Sequence, residues 1–205
     1  MIGIVNYGMG NLTSVFNAFE YLGEDAMICA HPEELKEADR IIIPGVGSFG
    51  RCAENLKKTG FMDALNEEVI HKAKPTLGIC LGMQIMAKKG FEDGEFDGLG
   101  WFDAEIIKIN PSDPTLRVPN IGWNEISFKT DCPLFKDIPQ NKDFYLVHSY
   151  YMKCNNEQDI IATYDYTFPV TAAVLKNNII ATQFHPEKSQ DYGLKLLENF
   201  LRWNP

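Results

Sequence analysis

The order of short apolar runs and amphipathic stretches in the first half of this chain strongly limits its fold. Runs rich in isoleucine and valine predict strands at Ile2–Val5, Ala26–Cys29, Arg40–Ile43 and Thr76–Ile79. Apolar residues between them recur at helical spacing, which predicts helices over about residues 11–22, residues 50–74 with a break near Gly60, and residues 81–89. Strands that alternate with helices pair in parallel. The sequence therefore predicts the α/β fold class, with helices flanking the sheet.

The sequence after Trp101 has a different pattern, in which strands follow one another without long helices. Predicted strands cover residues 104–109, 124–128 and 144–147, and a hairpin joins residues 170–175 to residues 179–182. A last helix over about residues 192–203 places on one face Leu194, Leu197, Phe200 and Leu201. With no repeat or linker in the sequence, we predict one domain over residues 1–205. Its central sheet is expected to be mostly parallel, with an added antiparallel portion.

Composition and charge exclude several classes of protein. The chain is 45% hydrophobic and 12% aromatic, enough for a buried core. Its 19 basic and 28 acidic residues give a net charge of −9, and no basic cluster suggests nucleic-acid binding. We expect no membrane segment, because the sequence has neither a charged leader nor an apolar run of about 20 residues. Five cysteines without metal-site spacing predict free thiols in the cytoplasm, with no metal and no cofactor.

The segment Gly-Ile-Cys-Leu-Gly over residues 78–82 lies where a predicted strand meets a predicted helix. It is the thiol version of the G-x-S-x-G turn, in which the nucleophile occupies a strained backbone position between small residues. At such a turn the positive end of the helix dipole would stabilise the thiolate of Cys80. The alternative is a buried cysteine that acts as a small apolar residue. The other four cysteines lack such a turn and are interpreted as structural.

A cysteine nucleophile that attacks an amide needs a proton donor for the leaving group, usually a histidine. His185 follows the apolar run 179–184, and Glu187 points to the same side of an extended segment. Pro186 keeps His185 out of the helical region. A carboxylate beside the imidazole would fix its tautomer and support its charged form. The alternative is a histidine at a strand end with a solvated glutamate.

A glycine-rich loop follows the third predicted strand, with the sequence Ile-Pro-Gly-Val-Gly-Ser-Phe over residues 43–49. Glycines allow the backbone to present N–H groups to a ligand, as an oxyanion hole requires. The candidate donors are the N–H groups of this loop near Val46 and Gly47, together with that of Leu81, the residue after the nucleophile. Such a loop could instead hold a phosphate, although it lacks the Lys-Ser/Thr of a P-loop and the dinucleotide glycine spacing.

These three segments, in this order, resemble the class I (triad) glutamine amidotransferase family. The resemblance implies a catalytic triad in which Cys80 is the nucleophile, His185 the acid and base, and Glu187 the residue that orients the histidine. It further implies a flavodoxin-like or Rossmann-like sheet and hydrolysis of glutamine through a γ-glutamyl thioester. By position, four further residues are expected to bind the substrate: Gln84, Glu92, Ser149 and Tyr150.

Three more segments are similar to one branch of this family, the glutaminases that serve imidazole glycerol phosphate synthase: residues 6–11, 119–125 and 147–151. This similarity implies a heterodimer in which ammonia passes to a cyclase subunit of (β/α)₈-barrel fold for histidine biosynthesis. The candidates for the surface that meets the cyclase are Asn11, Trp123, Asn124 and Tyr145. The chain departs from the branch at Asn120, where histidine is more usual. His148 is expected near the site but not as a second base.

Several functions share these residues and remain alternatives at this stage. A paralogous glutaminase that supplies ammonia for the amidation of surface sugars would have the same catalytic residues. A stand-alone cysteine peptidase or γ-glutamyl hydrolase could use the same fold, but segments 119–125 and 147–151 have no evident role in it. A non-catalytic binding module predicts that a triad residue is missing, whereas all three are present in the sequence.

Overall fold

The computed structural model of the chain describes residues 1–129 and 131–205. Its strands in chain order are β1 Ile2–Val5, β2 Ala26–Cys29, β3 Arg40–Gly45, β4 Thr76–Cys80, β5 Ala87–Gly90, β6 Phe96–Asp97, β7 Phe102–Lys108, β8 Asn120–Phe128, β9 Lys142–His148, β10 Tyr150–Cys154, β11 Ile160–Asp165, β12 Pro169–Lys176 and β13 Ile179–Thr182. Its α-helices are α1 Leu12–Tyr21, α2 Phe49–Thr59, α3 Phe61–Leu65, α4 Leu81–Gln84 and α5 Gln190–Arg202. A π-helical turn over Asn66–His71 continues α3.

The described strands form one large mixed sheet and one smaller sheet. The large sheet has the order β2-β1-β3-β4-β13-β12-β11-β8-β9. Its strands from β2 to β13 are parallel, and every pairing from β13 to β9 is antiparallel. The predicted α/β fold class with an added antiparallel portion is confirmed. The antiparallel portion extends the same sheet. Its strands are antiparallel because most of them are joined by short connections rather than by crossover helices.

The smaller sheet, of order β10-β7-β5-β6, corrects one predicted helix. The helix expected over residues 81–89 ends at Gln84, and Ala87–Gly90 forms β5, which is parallel to β7 and antiparallel to β6. Gly90 lies against the ring of Phe49, where an added Cβ would be 2.4 Å from a ring carbon. The segment has good helix formers, but strand pairing and this close packing outweigh that local preference.

Two apolar clusters lie on opposite faces of the large sheet, because successive strand residues point to opposite faces. Ile42 of β3 belongs to the cluster that contains α1 and α5. Ile41 and Ile43, its neighbours in β3, belong to the cluster that contains α2, α3 and the smaller sheet. Asn11 caps α1 by accepting a hydrogen bond from the Ser14 N–H at 3.3 Å. The parallel part of the sheet is thus covered on both sides, as α/β folds require.

The three sequence segments singled out above meet at one edge of the sheet. β4 lies between β3 and β13 and is parallel to both, so the carboxyl ends of the three strands are adjacent. Gly45 is paired with Cys80, and Thr182 with Ile79. Side chains that follow these strand ends therefore converge, at the edge where ligands bind in open α/β sheets.

Candidate active site

Cys80 occupies a strained backbone position between β4 and α4. Its φ of 55° and ψ of −110° are rarely adopted by residues other than glycine. The glycines of the motif permit the close packing that this turn needs. An added Cβ at Gly82 would lie 1.7 Å from the Ile43 carbonyl oxygen, and one at Gly78 would lie 2.8 Å from the Gly82 oxygen. The predicted nucleophile turn is therefore present, and Cys80 faces a cavity.

His185 and Glu187 form a buried pair beside this turn. The Nδ1 atom of His185 lies 2.8 Å from the Glu187 Oε1, and each side chain is only 2% exposed. The backbone N–H of His185 donates to the Tyr145 carbonyl oxygen at 2.9 Å. Ser189 Oγ donates to the His185 carbonyl oxygen at 2.6 Å and accepts from the Tyr145 N–H at 3.0 Å. The ring is thus held through both its side chain and its backbone.

The electrostatic environment of His185 favours its protonated form. Burial by itself lowers the pKa of the imidazole, but hydrogen bonding and charge from Cys80 and Glu187 outweigh burial and raise this pKa to about 9. In the described part of the chain, the buried Nε2 has no partner with full hydrogen-bond geometry. Cys80 is close enough to affect the pKa, so the arrangement joins a thiol, an imidazole and a carboxylate.

The candidate oxyanion donors lie directly next to Cys80. Gly45 pairs with Cys80 across the sheet, and the chain continues into Val46 and Gly47. Gly47 has a φ of 118°, a conformation that disfavours other residues. Leu81 is the first residue of α4, so its N–H belongs to the end of the helix with positive partial charge. Val46, Gly47 and Leu81 line the same cavity as Cys80.

A cavity of about 410 Å³ opens above the sulfur. It is lined by the predicted residues Val46, Gly47, Cys80, Leu81, Gln84, Glu92, Ser149, Tyr150 and His185, together with Pro119, Val147 and His148. The Glu92 Oε2 accepts a hydrogen bond from the Phe49 N–H at 2.9 Å, at the start of α2. The structure therefore brings the predicted substrate residues into one cavity with Cys80 and His185.

His148 lies near the site, as expected, with both ring nitrogens engaged. Nδ1 is 2.8 Å from the Tyr150 carbonyl oxygen, and Nε2 is 2.9 Å from the Tyr164 hydroxyl. Burial lowers the pKa of His148 to about 4, with the bond to Tyr150 opposing the shift and His185 adding to it. A neutral histidine with no free nitrogen is poorly suited to act as a second base.

Three of the predicted partner residues lie on β8 and β9, and the fourth, Asn11, lies at the start of α1. Trp123 is 46% exposed and contacts Tyr145 edge to face, with 5.8 Å between ring centroids. Asn124 follows Trp123 on β8 and accepts a hydrogen bond from the buried Asn120 at 3.0 Å. Asn11 is exposed at the start of α1, which follows the carboxyl end of β1. An exposed tryptophan that contacts a half-buried tyrosine is typical of a protein-binding surface.

Gln183, which has no predicted role, contacts Cys80. Its side chain is fully buried, and its Nε2 lies 3.6 Å from the Cys80 Sγ. The available signal was an amide within the apolar run 179–184, because a buried amide must find hydrogen-bond partners.

Among the described residues, no group of three or more His, Cys, Asp or Glu side chains is placed to hold a metal ion. No helix in this part of the chain has the length and apolar character needed to cross a bilayer.

Comparison with known proteins identifies the family. The model described as "Glutamine amidotransferase class-I" matches residues 4–203, and the chain belongs to that family. At the level of individual proteins, the chain is 46% identical over 202 residues to imidazole glycerol phosphate synthase subunit HisH 1 of Campylobacter jejuni strain RM1221, covering 98% of this chain and 100% of that protein. It is 44% identical over 214 residues to subunit HisH of Brucella abortus strain 2308, covering 100% of this chain and 99% of that protein.

Solved structures agree on the fold. The chain superimposes on a structure of PurLQS from Thermotoga maritima with a TM-score of 0.75 at 17% identity, covering 98% of this chain and 97% of that one. A crystal structure described as a glutamine amidotransferase gives a TM-score of 0.74 at 19% identity, with the same coverage of 98% and 97%.

Proposed function

We propose that the chain is the glutaminase subunit of an imidazole glycerol phosphate synthase. It hydrolyses L-glutamine to glutamate and ammonia, and the ammonia passes to a cyclase subunit. The observation that carries this proposal is that Cys80 and His185 line one cavity and Glu187 is hydrogen-bonded to His185, in a chain that is 46% identical to a HisH subunit over almost its whole length. Its cysteines Cys29, Cys52, Cys80, Cys132 and Cys154 are all free, which suits the cytoplasm.

The reaction follows from the positions of three side chains. The Cys80 thiolate attacks the side-chain amide carbon of glutamine, and the resulting oxyanion accepts hydrogen bonds from the N–H groups of Leu81 and the loop at Val46 and Gly47. His185 gives its proton to the nitrogen as the C–N bond breaks, which releases ammonia and leaves a γ-glutamyl thioester. Water then attacks the thioester; His185 takes a proton from the water and returns it to the sulfur as glutamate leaves.

The cavity supplies groups suited to the amino-acid part of glutamine. The carboxylate of Glu92 can accept hydrogen bonds from the α-ammonium group, and the backbone and hydroxyl groups of Ser149 and Tyr150 can bind the α-carboxylate. Gln84 is 5% exposed, and its Nε2 donates to the Tyr150 carbonyl oxygen at 2.8 Å. It therefore also stabilises the side of the cavity that contains Tyr150. We assign substrate binding to these four residues.

The partner in this proposal is a cyclase of (β/α)₈-barrel fold that binds the face around Trp123, Asn124, Tyr145 and Asn11. The aromatic pair offers a large and rigid contact area, which is typical of binding hot spots. We expect Trp123→Ala to weaken binding to the cyclase roughly 30-fold, measured by titration calorimetry. Tyr21→Ala, which removes a ring that is 78% exposed at the far end of α1, is the matched control and should bind normally. Normal binding by Trp123→Ala would show that the cyclase binds a different surface of the chain.

The decisive experiment separates glutamine hydrolysis from use of ammonia. In a complex of the chain with the histidine-pathway cyclase, Cys80→Ala should abolish glutamine-dependent synthesis and leave synthesis from added ammonium salts intact. Continued consumption of glutamine by the Cys80→Ala complex at the normal rate would refute the nucleophile assignment. Failure of the unmodified chain to bind or supply this cyclase, with activity toward a sugar-amidating partner, would favour the paralogous function. Rapid peptide cleavage by the isolated chain would favour a peptidase.

A further inference from the structure

The amide of Gln183 lies beside the Cys80 sulfur and has no part in the mechanism above. Its Nε2 is 3.6 Å from Sγ, within reach of a hydrogen bond to sulfur, and the side chain is 0% exposed. An N–H group directed at this sulfur stabilises the negative thiolate more than the neutral thiol. An amide oxygen in the same place would repel the thiolate. The orientation of the amide therefore decides its effect on the nucleophile.

Gln84 fixes the orientation of Gln183. The Nε2 of Gln84 lies 2.8 Å from the Tyr150 carbonyl oxygen and 3.0 Å from the Gln183 Oε1. A backbone carbonyl can only accept, so Gln84 must present its nitrogen to Tyr150. The second hydrogen on this nitrogen then requires an acceptor, which is the oxygen of Gln183. The nitrogen of Gln183 is left to face Cys80.

A second set of buried groups holds the Tyr150 carbonyl from the other side. His148 donates to it through Nδ1 at 2.8 Å, so the Nε2 of His148 is an acceptor. The Tyr164 hydroxyl, 2.9 Å away, donates to this Nε2. The same hydroxyl accepts from the Asn120 Nδ2 at 3.2 Å, and Asn120 also donates to the Asn124 Oδ1 at 3.0 Å. The Tyr150 carbonyl oxygen therefore accepts from His148 on one side and from Gln84 on the other, and each donor in the series meets an acceptor.

We propose that Gln183 is a further catalytic residue, whose amide N–H stabilises the Cys80 thiolate. In this proposal Gln84, oriented by the Tyr150 carbonyl, keeps the amide in its donating orientation, and the buried side chains of Asn120, Tyr164 and His148 hold that carbonyl in place. These groups together form the positioning chain. The inference rests on the proposed role of Cys80 as nucleophile. Its test measures alkylation of the thiol rather than glutamine hydrolysis, so the two proposals can fail separately.

The test measures the rate of alkylation of Cys80 by iodoacetamide as a function of pH in the full chain, with mass spectrometry of the peptide that contains Cys80. Gln183→Met keeps an unbranched side chain of similar length and removes the donor. It should raise the pH midpoint of alkylation by about one unit, because the N–H group that stabilises the thiolate is lost. An unchanged midpoint would overturn the role of Gln183. The titratable groups His148, His185, Glu187 and Tyr7, which also interact at this site, are retained in every variant.

The other thiols report on the integrity of the fold in the same experiment. Burial raises the pKa of Cys29 to about 11 and the pKa values of Cys52 and Cys154 to about 12. The peptides that contain these cysteines should keep their low reactivity in Gln183→Met.

In the complex with the cyclase, Gln183→Met should lower kcat for glutamine hydrolysis about tenfold. KM should stay near that of the unmodified protein, because Gln183 is not among the residues that line the cavity. A rise in KM with unchanged kcat would contradict the proposal.

Two neighbouring tyrosines test the positioning chain without altering Gln183, including the case in which Gln183→Met does not fold. Tyr164→Phe removes the hydroxyl that donates to His148. Tyr166→Phe removes a hydroxyl that donates to the Arg117 carbonyl oxygen at 2.6 Å, outside the chain, from a ring whose centroid is 6.1 Å from that of Tyr164. Tyr164→Phe should raise the Cys80 midpoint by less than Gln183→Met, and Tyr166→Phe should leave it unchanged. Equal midpoints in the two tyrosine variants would overturn the positioning role.

Discussion

At the scale of single residues, the site holds a proton ready for transfer. The pKa of about 9 keeps His185 protonated at neutral pH, although its side chain is only 2% exposed. A buried charge persists only where partners offset the loss of hydration. Glu187 and Cys80 are those partners. The proton needed by departing ammonia is therefore in place before glutamine is attacked.

Glu187→Gln should reduce glutaminase activity and shift its pH dependence. Removal of the carboxylate takes away the Glu187 hydrogen bond and charge that help to raise the His185 pKa, so this pKa falls and the alkaline limb of kcat/KM moves to lower pH. The loss should be smaller than in Cys80→Ala, because the amide can still accept from Nδ1–H. The measurement is a pH profile of hydrolysis in the complex, with Glu198→Gln in the exposed ion pairs of α5 as control. An unshifted alkaline limb would argue against this role of Glu187.

At the scale of secondary-structure elements, the nucleophile depends on the close approach of α4 to β3. Gly82 lies on α4 against the backbone of Ile43, and this contact leaves no room for a side chain. The first turn of α4 is thereby held over the end of the sheet, which orients the N–H of Leu81. Backbone packing at the G-x-C-x-G turn is thus as important to the site as the thiol.

Gly82→Ala should cost about 3 kcal/mol or more in free energy of unfolding, because the new methyl group overlaps a backbone atom that cannot move alone. Gly23→Ala is the control. Gly23 has a φ of +77° and no atom within 4 Å of an added Cβ, so this variant measures the cost of an unfavourable backbone conformation without any steric overlap. It should cost roughly 1 kcal/mol. Urea unfolding of both variants checks this. Equal costs would mean that overlap with Ile43 is not the main constraint.

The elements that could be predicted from sequence are those with a strong local pattern. Strands β1 to β4 are continuous apolar runs, and the turn at Asn177 and Asn178 joins two such runs. Strands β10 and β11 were not predicted from the sequence. Both have mixed polarity, and β11 pairs with β12 through register shifts, so local periodicity is weak. Strand β5 was predicted as helix, because its pairing with β7 depends on residues distant in sequence.

The proximity of Cys80 and His185 could be expected from the sequence. Cys80 and His185 each follow an apolar run, and the carboxyl ends of neighbouring parallel strands must lie together. Gln183 was missed because its proposed role depends on the orientation of its side-chain amide. The sequence indicates a buried amide but not which of its atoms faces the Cys80 sulfur. The roles assigned to the substrate and partner residues stay predictions, and so does the single-domain organisation over residues 1–205.

At the scale of the whole molecule, two buried histidines respond to pH in opposite directions. The pKa of His148 is lowered to about 4, and the pKa of His185 is raised to about 9. His148 favours the folded state above its unfolded pKa of about 6.5, and this stabilisation is lost as pH falls toward 4. His185 favours the folded state below about pH 6.5, and its stabilisation is lost as pH rises toward 9. Their combined contribution is greatest near neutral pH.

Urea unfolding at several pH values should separate the two contributions. The difference in free energy of unfolding between the unmodified chain and His148→Gln should shrink as pH falls from about 6.5 toward 4. The difference from Glu187→Gln should shrink as pH rises from about 6.5 toward 9. One proton changes the slope by at most about 1.4 kcal/mol per pH unit. Differences that stay constant across both ranges would show that these histidines titrate normally in the folded protein.

The position of the catalytic groups at the carboxyl edge of the parallel strands leaves the opposite edge free for other uses. Glu24, between α1 and β2, is an exposed residue at that far edge. If the protein were attached to a sensor surface through one reactive group placed at position 24, every molecule would have the same orientation on that surface. The catalytic cavity would face the solution, open to dissolved amino acids and to a second protein.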